Sequence, residues 1–216
     1  MHLVQGGCIV FNFGCMCGGK GFAMVMNAFQ AAHTYSPQRV PQLFKPKRET
    51  ESDCIESRIG LRLPAETLPD DVDLTCDRLV QAFEAPSIVG IDDAQFLYVP
   101  RDGDPVDPAK VARLMSTLID GARRGSDIYL AGLDADYRAE PFPFSAALLK
   151  SPFVVKNQHF AVCTRCRQPT ASVTQRLVNG EPAPRDMPTV VAKGDDAKKA
   201  HVTYEPRCLH CFVIPL

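Results

Sequence analysis

Cys8-Ile-Val-Phe-Asn-Phe-Gly14-Cys-Met-Cys-Gly-Gly-Lys20-Gly21-Phe22 is the stretch on which the fold turns. A short run rich in Ile, Val and Phe breaks into glycines and a lysine, then gives way to the helix-forming Ala23-Met-Val-Met-Asn-Ala-Phe29. That order predicts a strand, a loop and a helix. Against the phosphate-loop pattern G-x-x-x-x-G-K-[ST], Gly14, Gly19 and Lys20 fall in register, while Gly21 stands where a hydroxyl residue is expected. Glycines let backbone N–H groups close around an anion, the following helix points unpaired N–H groups at it, and Lys20 adds charge. The side-chain oxygen that would hold magnesium is missing. A glycine-rich turn after a strand also arises for structural reasons alone, so the loop by itself leaves both readings open.

Downstream, Val40 to Phe44 is a short apolar patch among prolines and predicts a second strand ending near Lys45, which Pro41 would push toward a sheet edge. The polar run Lys47 to Glu56 reads as a loop that Ser57-Arg-Ile-Gly60 closes. Residues 72 to 84 place apolar side chains at 72, 76, 79, 80 and 83, one face of a helix. Ser87-Ile-Val-Gly-Ile-Asp92-Asp93 is a continuous apolar run ending in two acids, as expected of a strand buried on both faces. Asp107-Pro108 opens another helix with its apolar face at Val111, Leu114, Met115, Leu118, Ile119 and Ala122, and Gly125 ends it. Ile128 to Leu133 is the next strand. Strand and helix alternating in this way predict an α/β fold with a parallel sheet and right-handed crossovers. Ligands in such folds bind beyond the carboxyl ends of the strands, where residues 14 to 20, Asp92 with Asp93, and Asp134 would project. Paired acids there suit magnesium binding and proton abstraction from a hydroxyl, although acids at strand ends also simply cap turns.

The composition is that of an ordinary globular chain: 216 residues, 45% hydrophobic, 23% charged and a net charge of −1. No basic excess recommends a nucleic-acid surface, and the apolar runs fall short of the roughly 20 residues that cross a membrane. With no signal-peptide pattern and an odd count of nine cysteines, the chain is expected in the cytosol, where thiols stay reduced.

From about Phe160 the composition changes. Cys163-Thr-Arg-Cys166 and Cys208-Leu-His-Cys211 flank a Pro-, Gly-, Asp- and Lys-rich segment of little periodicity, expected to be a lid or binding loop. Two C-x-x-C knuckles supply four thiolates, which a structural zinc would fill with no open position. Buried free thiols or a disulfide pair are the alternatives. Cys8, Cys15 and Cys17 have no second pair nearby and read as small loop residues.

Several of these motifs together resemble the cellular-type (type II) thymidine kinases. Gly14-Cys15-Met16-Cys17-Gly18-Gly19-Lys20 is similar to the family's G-x-M-x-[SA]-G-K loop, and Ile91-Asp92-Asp93-Ala94-Gln95-Phe96 to its I-D-E-[AC]-Q-F signature. Phe44-Lys-Pro46 and Ser57-Arg-Ile-Gly60 also fit, and Ala131-Gly-Leu-Asp-Ala-Asp-Tyr-Arg-Ala-Glu-Pro-Phe142 is close to A-G-L-D-x-[DT]-F-x-x-x-P-F. Ala171, Thr174 and Arg176 fall as in its A-x-x-T-x-R run, and Tyr204 precedes Cys208. The resemblance implies a P-loop kinase domain over residues 1–158 and a zinc-ribbon or lasso domain over 159–216. It implies transfer of the ATP γ-phosphate to the 5′-hydroxyl of thymidine, with magnesium, a structural zinc on Cys163, Cys166, Cys208 and Cys211, and a homotetramer. Asp93 would be the proton acceptor. Residues 14 to 21, Asp92 and Gln95 would hold the nucleotide and its metal, and Phe96, Leu133, Tyr137, Phe142 and Tyr204 the nucleoside.

Departures from the family fall on the chemistry. Gly21 replaces Ser or Thr, Asp93 replaces Glu, and Tyr137 replaces Phe. Glu49 and Glu51 stand where the family has Asp and Arg, and Ala192 to His201 lacks its paired small residue and glycine. These changes raise a second possibility, a catalytically impaired homologue that binds nucleotide or nucleoside without efficient turnover. A zinc-ribbon nucleic-acid binder is disfavoured, because the segment between the knuckles lacks interleaved aromatic and basic residues.

Overall fold

Apolar side chains on both faces of the central strands make the sheet the middle layer of the molecule. The computed structural model describes residues 6–35, 40–47, 53–57, 60–101, 103–190 and 201–215. In chain order it begins β1 (Ile9–Phe13), α1 (Lys20–Tyr35), β2 (Gln42–Pro46), β3 (Cys54–Glu56), β4 (Arg62–Pro64), β5 (Glu66–Leu68) and α2 (Val72–Ala82). It continues β6 (Ile88–Ile91), α3 (Pro108–Arg123), β7 (Asp127–Gly132), α4 (Pro143–Lys150), β8 (Val154–Gln158), β9 (Val173–Val178), β10 (Glu181–Pro182) and β11 (Val202–Arg207). Six strands form one sheet in the order β5-β2-β6-β7-β1-β8, and every ladder in it is parallel. The expected α/β architecture is thus borne out.

Strand alternation sorts the core onto two faces. Ile9 and Phe11 of β1, Val89 and Ile91 of β6, and Ile128 and Leu130 of β7 pack with Leu79, Leu114, Leu118, Phe144 and Leu148 from α2, α3 and α4. On the opposite face Tyr129 and Ala131 pack with Met24, Val25, Ala28, Ala31 and Ala32 of α1. Gly90 lets α1 approach closely: a Cβ there would lie 2.7 Å from Met24 Sδ and 2.8 Å from Leu43 Cδ2. The helix starts follow local chemistry. The Asp71 carboxylate accepts from the N–H groups of Asp73 and Leu74, and Asp107 from that of Ala109 just after Pro108.

Three sequence expectations change. β2 is not an edge strand, because Pro41 lies before the ladder and β5 covers its outer side. The polar run read as a loop ends in β3, which pairs antiparallel with β4 and buries Ile55; residues 48–52, with Glu49 and Glu51, lie outside the described residues. Within the segment expected to be a lid or binding loop, β9 pairs with β10 and β11 in a three-stranded antiparallel sheet, while residues 191–200, with most of the Ala192 to His201 stretch, lie outside the described residues. No helix among the described residues is long and apolar enough to cross a membrane.

Candidate active site

The loop after β1 turns through residues that accept positive φ: Gly14 at 134°, Cys17 at 65° and Gly19 at 80°. Gly14 is required by space as well as by angle, since a Cβ would come 2.2 Å from the carbonyl oxygen of His159. α1 starts at Lys20, so the loop sits on a helix N-terminus, the arrangement that binds anions. Lys20 Nζ donates to the Cys15 carbonyl at 2.6 Å, holding the ammonium over the loop. Burial pushes the Lys20 pKa down, while Asp93, Cys15, Asp92 and Asp134 pull it back up. Burial raises the Asp134 carboxyl, against the Lys20 charge.

The two acids leave the end of β6 into a short 3-10 turn over Ala94–Leu97. Asp93 takes a left-handed conformation, φ 48°, which an aspartate tolerates better than most residues. Gln95 is buried and ties two strand ends together: its Nε2 donates to Asp93 Oδ1 at 3.2 Å, and its Oε1 accepts from Leu133 N at 2.9 Å. The Asp92 carboxylate lies against the start of α1, its oxygens 3.1 and 3.2 Å from where a Gly21 Cβ would be.

A cavity of about 630 Å³ opens beside these groups. Met16, Cys17, Gly19, Lys20, Gly21, Asp92, Asp93, Gln95, Phe96, Leu133, Tyr137, Phe142 and Tyr204 all line it. Gly14, Cys15 and Gly18 shape the loop behind the wall instead. Phe96 and Phe142 meet edge to face with centroids 5.8 Å apart. Sequence reasoning gave no role to several wall residues, among them Phe22, Ile55, Ser57, Thr174, Arg176 and Thr189. The A-x-x-T-x-R spacing was the available signal for Thr174 and Arg176. Thr174 also braces the phosphate loop, its Oγ1 accepting from Met16 N at 3.1 Å.

Arg176 is fully buried. Its guanidinium carbon lies 3.9 Å from the Tyr137 ring centre and 5.2 Å from that of Tyr204, its cross-strand neighbour. Its two terminal nitrogens donate to the carbonyls of Pro188 and Thr189, each at 2.6 Å.

Cys163, Cys166, Cys208 and Cys211 converge so that their sulfurs all lie within 4.8 Å of one another. Zinc with bonds of about 2.3 Å in tetrahedral geometry needs sulfurs about 3.8 Å apart, so the set fits the ion. Burial pushes the Cys163 thiol up, but backbone N–H groups of Cys166, Cys208 and Arg165 outweigh it and bring it to about 6. This cluster packs on the phosphate loop: Cys15 is buried with Ala161, Cys163, Ala171 and Cys208, and its Sγ donates to the Ala171 carbonyl at 3.2 Å.

Comparison with known proteins identifies the family. Two curated thymidine kinases, from Chloroflexus aurantiacus strains J-10-fl and Y-400-fl, are each 34% identical over 210 residues, covering 96% of this chain and 95% of theirs. The crystal structure of the N-terminal domain of zonular occludens toxin from Neisseria meningitidis covers 97% of this chain and all of its own at 14% identity, with a TM-score of 0.39 that carries no weight here. The sequence model of the thymidine kinase family matches residues 7–212, and the chain therefore belongs to that family.

Proposed function

We propose that the chain is a thymidine kinase that transfers the γ-phosphate of ATP to the 5′-hydroxyl of thymidine. One observation carries this: Lys20, Asp92 and Asp93 share a single cavity with the aromatic wall of Phe96, Tyr137, Phe142 and Tyr204. The phosphate loop and Lys20 would hold the triphosphate, and Asp93, oriented by Gln95, would accept the hydroxyl proton. Phe96, Leu133, Tyr137, Phe142 and Tyr204 would hold the nucleoside. Phosphoryl transfer asks little covalent chemistry of a protein, so positioning and charge neutralisation supply most of the rate. Magnesium, when bound, would neutralise the phosphate oxygens. Gly21 offers it no ligand, but the Asp92 carboxylate sits against that point of the helix and fits the task. The four cysteines would hold a structural zinc, with no open position for chemistry.

Nothing among the described residues favours the impaired homologue suggested by Gly21 and Asp93. We further infer a homotetramer in the cytoplasm, with residues 1–158 and 159–216 as its two domains. Met26 and Phe29 support assembly, since they share one face of α1 and are each 41% exposed. Light scattering of the purified protein measures the assembly.

The deciding experiment is a coupled ATP-consumption assay with magnesium, comparing thymidine, deoxyuridine, deoxycytidine and no nucleoside. Turnover that requires thymidine and disappears in Lys20→Ala is expected. Absence of turnover from protein that still binds zinc and thymidine would restore the impaired reading.

A further inference from the structure

The strap over residues 184–190 lends Thr189 and Val190 to the cavity wall, and two side chains from different parts of the chain grip its backbone. Arg176 on β9 gives both terminal nitrogens to the carbonyls of Pro188 and Thr189. Tyr137, from the segment after β7, donates its one hydroxyl hydrogen among three strap carbonyls, that of Met187 at 2.8 Å and those of Pro184 and Arg185 at 3.0 Å. The hydroxyl is what distinguishes Tyr137 from the phenylalanine of the family pattern. The two grips support each other, because the Arg176 guanidinium carbon lies 3.9 Å from the centre of the Tyr137 ring, within cation–π range. Arg138 approaches the same ring at 5.3 Å and reaches the Thr189 hydroxyl.

Burying an arginine this completely is unfavourable unless its donors are matched, and Arg176 Nε has no hydrogen-bond partner among the described residues. The matched donors all go to the strap. Among the described residues none goes to a carboxylate.

We propose that Arg176 and the Tyr137 hydroxyl are positioning residues that latch the strap in place before nucleoside arrives. The nucleoside then meets a finished wall and need not order the strap on binding, which lowers the cost of association. This deepens the thymidine kinase reading and rests on it for the identity of the nucleoside.

Hydrogen exchange on the full-length, zinc-loaded protein tests the latch without any ligand. Amides of residues 184–190 are expected to be protected in the parent. In Arg176→Met, and to a lesser degree in Tyr137→Phe, they should exchange about tenfold faster, while amides of β1, β6 and β7 keep their rates. The kinetic counterpart is a rise of about tenfold in KM for thymidine, with KM for ATP within twofold of the parent and partial rescue in Arg176→Lys. The magnitude is that of losing one or two well-formed hydrogen bonds. An unprotected strap in the ligand-free parent would overturn the proposal. So would unchanged exchange in both variants, or a rise in KM for ATP that matches that for thymidine. Should Arg176→Met not fold, Tyr137→Phe carries the same readouts with the family's own residue. If the parent turns over no nucleoside, the kinase reading fails alone, because the exchange experiment still reads the latch.

Discussion

Gly14, Gly21 and Asp93 carry three separate demands, and substitutions separate them. Gly14→Ala adds a methyl group within 2.2 Å of the His159 carbonyl at a φ of 134°, so the loop must move. A loss of at least about 2 kcal/mol is expected in urea denaturation. Gly21→Ser meets only the end of the Asp92 side chain, at 3.1 Å, which can swing aside. Its stability should stay within about 1 kcal/mol of the parent. Asp93→Asn keeps the shape and removes the proton acceptor. Turnover should drop by about 10²- to 10⁴-fold with the melting temperature nearly unchanged, as steady-state kinetics and calorimetry would read. Gly14, Gly19 and Lys20 were legible in the sequence because a phosphate-binding turn restricts backbone angles and charge at fixed spacing. The burial of Arg176 was not. That burial depends on Tyr137 and a strap whose approach no local pattern encodes.

Among the elements, β9 links the cysteine cluster to the phosphate loop. Its Thr174 accepts from Met16 N, and Ala171 just before it accepts from Cys15 Sγ. Stripping zinc with a chelator, or replacing Cys166 with Ser, should therefore reach beyond the nucleoside wall. Affinity for an ATP analogue, followed by fluorescence titration, is expected to fall about fivefold or more, the size of an ordinary coupling between sites. Unchanged affinity would mean that the two parts act independently. Elements with apolar runs were readable: β1, β6, β7, α2 and α3 all lie where periodicity put them. β8 was not, because four of its five residues are exposed and no alternation marks it. β9 was hidden for the opposite reason, since Thr174, Gln175 and Arg176 are polar yet buried, and only the facing β11 explains them.

For the molecule as a whole, His159 connects pH to stability. Its Nε2 lies 3.0 Å from Asn12 Oδ1, and its backbone closes against Gly14. Burial, and then the Lys20 charge, hold its pKa below the ordinary 6.5. Between that lowered value and 6.5 the unfolded chain carries more protons than the folded one, so stability is complete above about 6.5 and declines as the pH falls. Melting temperatures measured from pH 7 to 5 should decrease, and decrease less in His159→Gln. The parallel topology was foreseeable from the alternation of elements. The packing of the cysteine cluster on the loop was not, because it joins segments remote in sequence. That remoteness also has a meaning in time. β1 is made first, yet its neighbours are β7 and β8, and Met16 finds Thr174 158 residues later. At about 5–20 residues per second, a ribosome needs roughly 8 to 30 s to supply that partner. Until β7 and then β8 follow within that interval, the nascent Ile9–Phe13 strand is an apolar segment without its sheet, which makes it a natural client for a chaperone waiting at the exit tunnel.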